Sequence, residues 1–505
     1  MSHLLKNNIP ILKCLRIFFY ILLLMSIAST TYFYDGNKIT IFFLGLASSF
    51  IFLSIFSKKA YFFEIFFGGL LWLGFWYKTF IIIVFNNYQF KEGAGYFDLF
   101  AYDKKIYILD NTLMVAIYGI TGFLLACLVK NKFLYNFYSY KKLRKNIESF
   151  VNIKTLLIFF IIFIIIFFII VFSNFFFGIY QRGILATFKV HFLISAIYKW
   201  LLLFGFSSFV AFSFAFAFKN KLRVYFFSSI SIIETFFTSI SLLSRGMIFN
   251  LFAIFIGLYK SNKIFKLNLN LKFFFIYLFS ILIFFYVSVI SVNYLRANIF
   301  FVKLDSAHTK QNDEQNDEQN DEQIDINIVK KYNTHRKAFS EFLSLSKTRW
   351  VGIDALVAVE SYDSKSYGLF IESFKDRFNK TKYPFYERKI QQRTKNTKIQ
   401  TIEYGITTPG ILAFLYYTGS KFFVFVLVFI ISIIILTIER YIFLLFNNLV
   451  LCSVLSQVLA YRLIHFGYMP QNTYLLLTSF LLTILGLFLI KKIFIKKMFN
   501  IYHIP

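Results

Sequence analysis

Residues 154–173 read KTLLIFFIIFIIIFFIIVFS and are almost entirely apolar. A helix of about 20 apolar residues is long enough to cross roughly 30 Å of bilayer hydrocarbon. The strands of a membrane β-barrel alternate apolar and polar residues in segments of about ten, which this run does not do. The stretch therefore predicts a membrane-spanning α-helix.

Eleven further apolar runs resemble this one in length or composition. They cover residues 15–34, 39–57, 61–85, 109–129, 190–218, 222–243, 246–260, 272–292, 408–437, 440–462 and 472–490. The composition agrees, because 58% of the 505 residues are hydrophobic and only 16% are charged, whereas soluble chains carry about 25% charged residues. We therefore predict an all-α, polytopic membrane protein with about twelve transmembrane helices.

The predicted spans divide the chain into three regions. Residues 1–292 contain spans one to nine, and residues 408–505 contain spans ten to twelve and a tail. Residues 293–407 form one large, partly helical loop, with a predicted helix over 335–360. Within it, 311–323 repeats QNDE three times before a final Gln, which predicts a solvated low-complexity linker.

Lysine and arginine indicate the orientation. They concentrate before the first span, after each even-numbered span and after the last one, and short cytoplasmic loops collect such cations. Both termini are therefore predicted to be cytoplasmic and the large loop periplasmic, with the first run retained as a span. Heavy use of Phe, Ile, Lys and Asn is typical of an AT-rich bacterial genome, so the expected location is the bacterial inner membrane.

The net charge of +29 thus reflects topology, and no nucleic-acid partner is expected. The three cysteines, Cys14, Cys127 and Cys452, lie in or beside spans, so we expect neither a disulfide nor a cysteine metal site. Walker-type loops and HExxH motifs are absent from the sequence. No metal or other cofactor is predicted, and any glycosyl transfer would use a lipid-linked donor.

Polar residues within the predicted spans are candidates for function, because burying them in a membrane is costly. In span seven Ser231, Glu234, Thr238, Ser241 and Arg245 are spaced by three or four residues, which places them on one helical face. Span eleven carries a similar series of Ser453, Gln457, Tyr461, Arg462 and His465. Alternatively, these polar residues have only structural roles. Glu234 would then pair with Lys199 or Lys78, and Lys421 and Arg462 would extend to lipid headgroups.

Several arginines are predicted to reach the same membrane face. They are Arg245, Arg296, Arg349 and Arg462, with His465 beside them. Guanidinium groups bind phosphates through two parallel hydrogen bonds and stay charged. The set therefore suits a pyrophosphate.

Four short stretches resemble the O-antigen (Wzy-type) oligosaccharide repeat-unit polymerases, which belong with the O-antigen ligases among membrane glycosyltransferases. They are SRG at 244–246, NYLR at 293–296, RWVGID at 349–354 and TTPGILAFLYYTGS at 407–420. The resemblance implies transfer of a glycan from undecaprenyl pyrophosphate to the next lipid-linked repeat unit in the periplasm. It also implies that Arg245, Arg296 and Arg349 hold the pyrophosphate, whose developing charge they would stabilise.

The reaction also requires a base that takes the proton from the acceptor hydroxyl. The candidates, in falling order, are Glu403, His335, His465 and Asp354. Candidate substrate-binding residues are Arg245, Arg296, Arg349, Arg462, Trp350 and Tyr404. The expected partners are the undecaprenyl-pyrophosphate-linked glycan and the lipid bilayer, with a chain-length regulator as a further candidate.

Three alternatives remain open in the sequence. An O-antigen ligase shares donor and topology and differs in its acceptor. A polysaccharide flippase or transporter would use the polar series in spans seven and eleven, and an anchor protein would use the loop to bind a partner. The aromatic and basic stretch 366–393 suits sugar rings and phosphates, or equally an amphipathic helix on anionic lipid.

Overall fold

The structure is a computed structural model. It describes residues 2–57, 59–90, 97–133, 153–182, 187–188, 190–218, 221–265, 267, 269–312, 350–375, 384–391, 408–467 and 471–499. Helices account for 85% of this part of the chain, which contains no strand. The prediction of an all-α fold is therefore confirmed for the described residues.

Fifteen α-helices are described. In chain order they are α1 Ser2–Phe33, α2 Lys38–Ile55, α3 Phe62–Phe85, α4 Tyr102–Phe133, α5 Ile153–Phe177, α6 Phe192–Ala217, α7 Lys221–Ser241, α8 Ile248–Phe265, α9 Leu271–Asn312, α10 Ile353–Glu360, α11 Tyr367–Lys375, α12 Gly410–Leu415, α13 Lys421–Phe446, α14 Leu449–Ile464 and α15 Gln471–Phe499. Two of them contain a π-helical turn, at Trp72–Tyr77 in α3 and Leu201–Gly205 in α6.

Nine of the described helices are long and apolar enough to cross a membrane, as in a polytopic membrane protein. They are α2 to α7, α9, α13 and α15. The apolar parts of α1, Ile17–Phe33, and of α14, Leu449–Ile464, are shorter, and α8 is not among the nine. The total of about twelve spans stays a prediction.

Burial separates lipid-facing helices from interior ones. Only 28% of the apolar window of α5 is buried, against 67% in α6. In α5, Ile161, Ile165 and Ile169 each expose more than half of their surface. Large exposed apolar side chains on a helix of this length are what a hydrocarbon environment accommodates.

The predicted tenth span, residues 408–437, is wrong at both ends. α12 ends at Leu415, and a 3₁₀ turn, Tyr416–Thr418, leads to Gly419 with a φ of 75°. The long helix α13 begins only at Lys421 and continues to Phe446. Arg440, the first residue of the predicted eleventh span, therefore lies inside α13. The left-handed glycine is the physical reason for the break.

The chain forms two compact units. The first contains 1–137, 347–439 and 459–474. Glycines allow its helices to approach closely: a Cβ on Gly122 of α4 would lie 2.5 Å from the carbonyl oxygen of Phe425 in α13. A Cβ on Gly119 would lie 2.6 Å from the Leu412 side chain of α12. Small residues at such positions let helix backbones approach closely.

Buried charges at one end of α3 strengthen this unit. The Glu439 carboxylate of α13 accepts hydrogen bonds from the backbone N–H groups of Phe62 and Phe63, each at 2.8 Å. Glu64, in the first turn of α3, pairs with Lys130 of α4 at 2.5 Å, and both side chains are at most 2% exposed. Carboxylates at a helix N-terminus satisfy its unpaired N–H groups and its dipole.

The second unit contains 138–346, 440–458 and 475–505. In it α7 packs against α5, α6, α8 and α9. Asn448 caps α14 by accepting from the N–H groups of Val450 and Leu451 at 3.0 and 3.2 Å, and it donates to Ala211 O in α6 at 2.8 Å. A Cβ on Gly257 of α8 would lie 2.7 Å from Val450 Cα. These contacts bring α6, α8 and α14 together.

The region predicted as the large loop is partly helical where it is described. α9 continues to Asn312, and α10, α11 and a π-helical turn, Tyr386–Ile390, follow. α10 covers the end of the predicted helix 335–360. Most of the linker 311–323 lies outside the described residues.

Candidate functional site

Three arginines gather where α7 ends in the second unit. We call Arg182, Arg245 and Arg296 the arginine cluster; all three are partly buried. α7 ends at Ser241, and Leu243 has a φ of 50°, which is uncommon for a non-glycine residue. The turn positions Ser244, which accepts from Gly246 N at 3.4 Å and begins the 3₁₀ turn Arg245–Met247.

Side chains from α9 hold this turn in place. Arg245 Nη2 donates to Asn293 Oδ1. One helical turn later in α9, Arg296 donates through Nε to Leu243 O at 2.9 Å and through Nη2 to Arg182 O at 2.8 Å. The structure thus brings together Arg245 and Arg296, two of the predicted pyrophosphate-binding residues.

Arg182 was not among the predicted site residues. Its backbone N–H donates to Leu242 O at 3.0 Å, and its Nη1 donates to Ser244 Oγ at 3.2 Å. The sequence signal was an arginine in a short inter-span loop, next to Gly183. Such a signal does not distinguish a site residue from a loop cation.

Asn174, near the end of α5, was also missed. It is fully buried, and its Nδ2 donates to Tyr180 O, Ser241 O and Ser241 Oγ at 2.9–3.0 Å. Its Oδ1 accepts from Tyr180 N at 2.8 Å. Asn174 therefore fixes the segment that carries Arg182 against the end of α7.

Two backbone carbonyls, a serine hydroxyl and an asparagine amide accept hydrogen bonds from these arginines. Three like charges in one place repel each other in a partly buried environment. A bound polyanion would offset that repulsion and can accept hydrogen bonds from guanidinium groups. The arrangement suits a phosphate or pyrophosphate chemically.

The four helical members of the predicted polar series in α7 are buried on one face. They are Ser231, Glu234, Thr238 and Ser241. Arg245 is not on that face, because the helix ends at Ser241 and the chain turns at Leu243. The described contacts of Glu234 are with hydroxyl groups, and Lys78, one of its two expected partners, instead pairs with Asp354.

Trp350 and Asp354 meet one lysine in the first unit. Lys78 Nζ, in α3, donates to Trp350 O at 2.9 Å and pairs with the Asp354 carboxylate. The lysine side chain is 8% exposed. This ion pair ties the start of α10 to α3.

Two glycines let the segment before α10 lie directly on α3. A Cβ on Gly74, within the π-helical turn, would lie 2.1 Å from Val351 O, and one on Gly352 would lie 2.1 Å from Gly74 O. π-helical turns occur frequently at functional sites. Here the turn accommodates the backbone of another segment.

Gly410 joins the same segment to the end of α14. Its φ is 76°, and an added Cβ would lie 2.9 Å from Ile464 O and 3.1 Å from the Val351 side chain. Its N–H donates to Phe466 O at 2.9 Å. Residues 350–354, Gly410 and residues 464–466 therefore form one contiguous group, the Gly410 cluster.

His465 lies in the Gly410 cluster. Its Nδ1 is 2.9 Å from Tyr461 O, and its ring stacks on that of Tyr461 with centroids 4.1 Å apart. A carbonyl can only accept, so Nδ1 carries a hydrogen and the neutral ring keeps its lone pair on Nε2. In a neutral His465 with this contact, Nε2 is the basic atom of the ring. Arg462, one turn earlier, is partly buried.

Four predicted site residues, His335, Arg349, Glu403 and Tyr404, lie outside the described residues. Lys421, predicted to reach the headgroups, is the first residue of α13 and donates to Asn111 Oδ1 at 3.1 Å. Among the described residues no group of three or more His, Cys, Asp or Glu is placed to hold a metal ion.

Comparisons of the chain with protein-family models, with curated proteins and with solved structures find no match.

Proposed function

We propose that the protein is a membrane glycosyltransferase that polymerises lipid-linked oligosaccharide repeat units into O-antigen or a similar surface polysaccharide. The donor would be a glycan on undecaprenyl pyrophosphate, used on the periplasmic side of the bacterial inner membrane. The observation that carries the proposal is the arginine cluster at the end of α7, in a chain whose described part contains nine helices long and apolar enough to cross a membrane.

The chemistry of the reaction explains why arginines are needed. When an acceptor hydroxyl attacks the anomeric carbon, the bond to the pyrophosphate oxygen breaks and negative charge develops on the leaving group. Fixed donors aimed at that charge stabilise the transition state more than the ground state. Arg245 and Arg296 are held by bonds to Asn293, Leu243 O and Arg182 O, so their positions are fixed before substrate binds.

The acceptor hydroxyl also needs a base. Among the described candidates, His465 has the suitable tautomer and Asp354 is already paired with Lys78. We therefore propose His465 as the first of these two to test. Glu403 and His335 remain predictions from the sequence.

The experiment is a gene deletion in the source bacterium, with surface polysaccharide resolved on a gel. A polymerase mutant retains core bearing one repeat unit. Polymer accumulating on the lipid carrier would instead indicate a ligase. The absence of both this polymer and the core bearing one repeat unit would indicate a flippase. An unchanged ladder would contradict all three functions.

Complementation then tests the residues. We expect Arg245→Ala, Arg296→Ala and Arg182→Ala to abolish chain extension at normal protein levels, whereas Lys421→Ala is expected to retain much more of it. Arg296→Lys keeps the charge but loses the bidentate geometry, so it should give shorter chains. Wild-type ladders from all the arginine variants would contradict the pyrophosphate site.

A further inference from the structure

Glu234 is a fully buried carboxyl group in the middle of α7, where Ser207 of α6 faces it. Ser207 Oγ is 3.1 Å from Oε1 and 3.0 Å from Oε2. Thr238 Oγ1 is 3.1 Å from Oε1, and Thr235 Oγ1 is 3.2 Å from Oε2. An ionised carboxylate in such a place is costly unless a cation neutralises it.

The hydrogen bonds around Glu234 indicate whether its carboxyl group is protonated. A hydroxyl has one hydrogen to donate. Thr238 Oγ1 also bonds the backbone carbonyl of Glu234, and because a carbonyl only accepts, the threonine hydrogen points there. The Thr238 oxygen therefore presents a lone pair to Oε1, and that contact is a hydrogen bond only if Oε1 carries a hydrogen.

The other contacts agree with a neutral acid. Ser207 and Thr235 can each donate to Oε2. Ser207 Oγ in turn accepts from Asn250 Nδ2 of α8 at 3.1 Å, whose second hydrogen goes to Leu203 O at 2.9 Å. With one proton on Glu234 Oε1, every described donor around this carboxyl group has an acceptor. Without that proton, a lone pair of Thr238 Oγ1 faces a lone pair of Glu234 Oε1.

Titratable and charged groups on the neighbouring helices are few near Glu234. The described part of α5 from Phe160 onward has none. The hydroxyl of Tyr277 in α9 lies 2.6 Å from Ser231 Oγ, one turn before Glu234, and Lys199 of α6 lies over the Tyr180 ring at 5.0 Å. The remaining ones, taking α9 as far as Arg296, are Tyr198 on α6, Arg223, Tyr225 and Lys221 near the other end of α7, Tyr259, Lys260 and Lys263 on α8, and Lys272, Tyr286, Tyr294 and Arg296 on α9.

We infer that Glu234 is a proton-binding site inside the membrane region, and that it holds its proton while α6, α7 and α8 are packed as described. Loss of the proton would leave a buried charge and break the bond to Thr238. The protonation state of Glu234 is therefore coupled to the contact between α6 and α7. This inference does not depend on the proposed function.

The test is infrared spectroscopy of the purified protein in lipid at neutral pH. We expect a protonated-carboxyl C=O band that Glu234→Gln removes and that Glu372→Gln, at an exposed carboxylate of α11, leaves intact. In Thr238→Val the band should shift, because the acid loses its acceptor. If the Glu234→Gln spectrum equals that of the wild type, Glu234 is ionised and the inference is wrong.

Stability and ion dependence give a second readout. A glutamine at 234 can donate to Thr238 and accept from Ser207 and Thr235, so Glu234→Gln should unfold within a few degrees of the wild type. Glu234→Ala should lower the thermal midpoint clearly. If sodium but not potassium raised the midpoint of the wild type, and Glu234→Gln abolished that effect, a metal cation would occupy the site and the proton assignment would be overturned.

Discussion

Gly410 shows how much a single residue without a side chain can determine. It adopts a left-handed φ, and it lies between the Val351 side chain and Ile464 O. An alanine there meets both backbone strain and close contacts. We expect Gly410→Ala to lower the free energy of unfolding by about 1–3 kcal/mol and to reduce activity.

Gly69 provides the matched control for this substitution. It lies within α3, and an added Cβ would meet nothing within 4 Å. Because glycine is a poor helix former, Gly69→Ala should stabilise the protein by about 0.5–1 kcal/mol. Thermal unfolding in detergent compares the two. Equal midpoints for the two variants would contradict the structural role of Gly410.

Lys130 and Glu64 form a deeply buried ion pair. Their side chains are 1% and 2% exposed, and Lys130 also lies over the Tyr61 ring at 4.8 Å. Removing one partner leaves the other charge buried, which costs about 3–5 kcal/mol. We expect Lys130→Met to destabilise strongly and Lys130→Met with Glu64→Gln to recover part of the loss. Additive losses in this double-mutant cycle would show that the pair is not coupled.

At the scale of helices, α3 depends on a cap from another helix. Glu439 of α13 accepts from Phe62 N and Phe63 N, and glutamine could supply only one neutral oxygen. We expect Glu439→Gln to cost about 1–2 kcal/mol in unfolding free energy, as for other helix caps. Glu372→Gln, at an exposed pair 3.7 Å from Lys389, should change stability by less than about 0.5 kcal/mol. Similar changes in unfolding free energy from Glu439→Gln and Glu372→Gln would contradict the role of Glu439 as a helix cap.

The helices themselves were largely predictable from the sequence. The apolar run that begins at residue 154 corresponds to α5. Eight more of the twelve predicted runs correspond to helices long and apolar enough to cross a membrane. Apolar length is a local property, so it can be read without knowing the packing. The break between α12 and α13 was missed because the sequence GILAFLYYTGSKFF continues the apolar pattern, while Gly419 adopts a left-handed φ that only the folded chain reveals.

The candidate site was predictable only in part. Arg245 and Arg296 were identified from their residue type and position, and the structure places them together. Arg182 and Asn174 were missed because their role depends on contacts between α5, α7 and α9 that lie far apart in sequence. The alternative that paired Glu234 with Lys199 or Lys78 did not foresee the actual partner of Lys78, because Asp354 lies 276 residues away in sequence.

At the scale of the whole molecule, orientation is a prediction with a direct test. In a variant lacking Cys14, Cys127 and Cys452, single cysteines replace two exposed residues, one in a loop and one at the start of α7. A membrane-impermeant maleimide is added to cells whose outer membrane is permeable and whose inner membrane is intact. It should label Gln89→Cys, which is predicted to be periplasmic. Lys221→Cys, predicted cytoplasmic, should react only after permeabilisation. The reverse labelling would invert the proposed topology.

The proposed function rests on one property of the whole protein, the recognition of a pyrophosphate on a lipid. Purified protein in lipid nanodiscs can be titrated with undecaprenyl pyrophosphate and, as a matched control, with undecaprenyl monophosphate. The wild type should bind the pyrophosphate more tightly. Arg296→Lys and Arg245→Gln should each weaken that binding by about ten- to a hundredfold, since a hydrogen bond to a charged group contributes about 1.5–3 kcal/mol. Lys421→Ala should bind as the wild type does. Equal affinity for the two lipids, unchanged in folded arginine variants, would contradict the account.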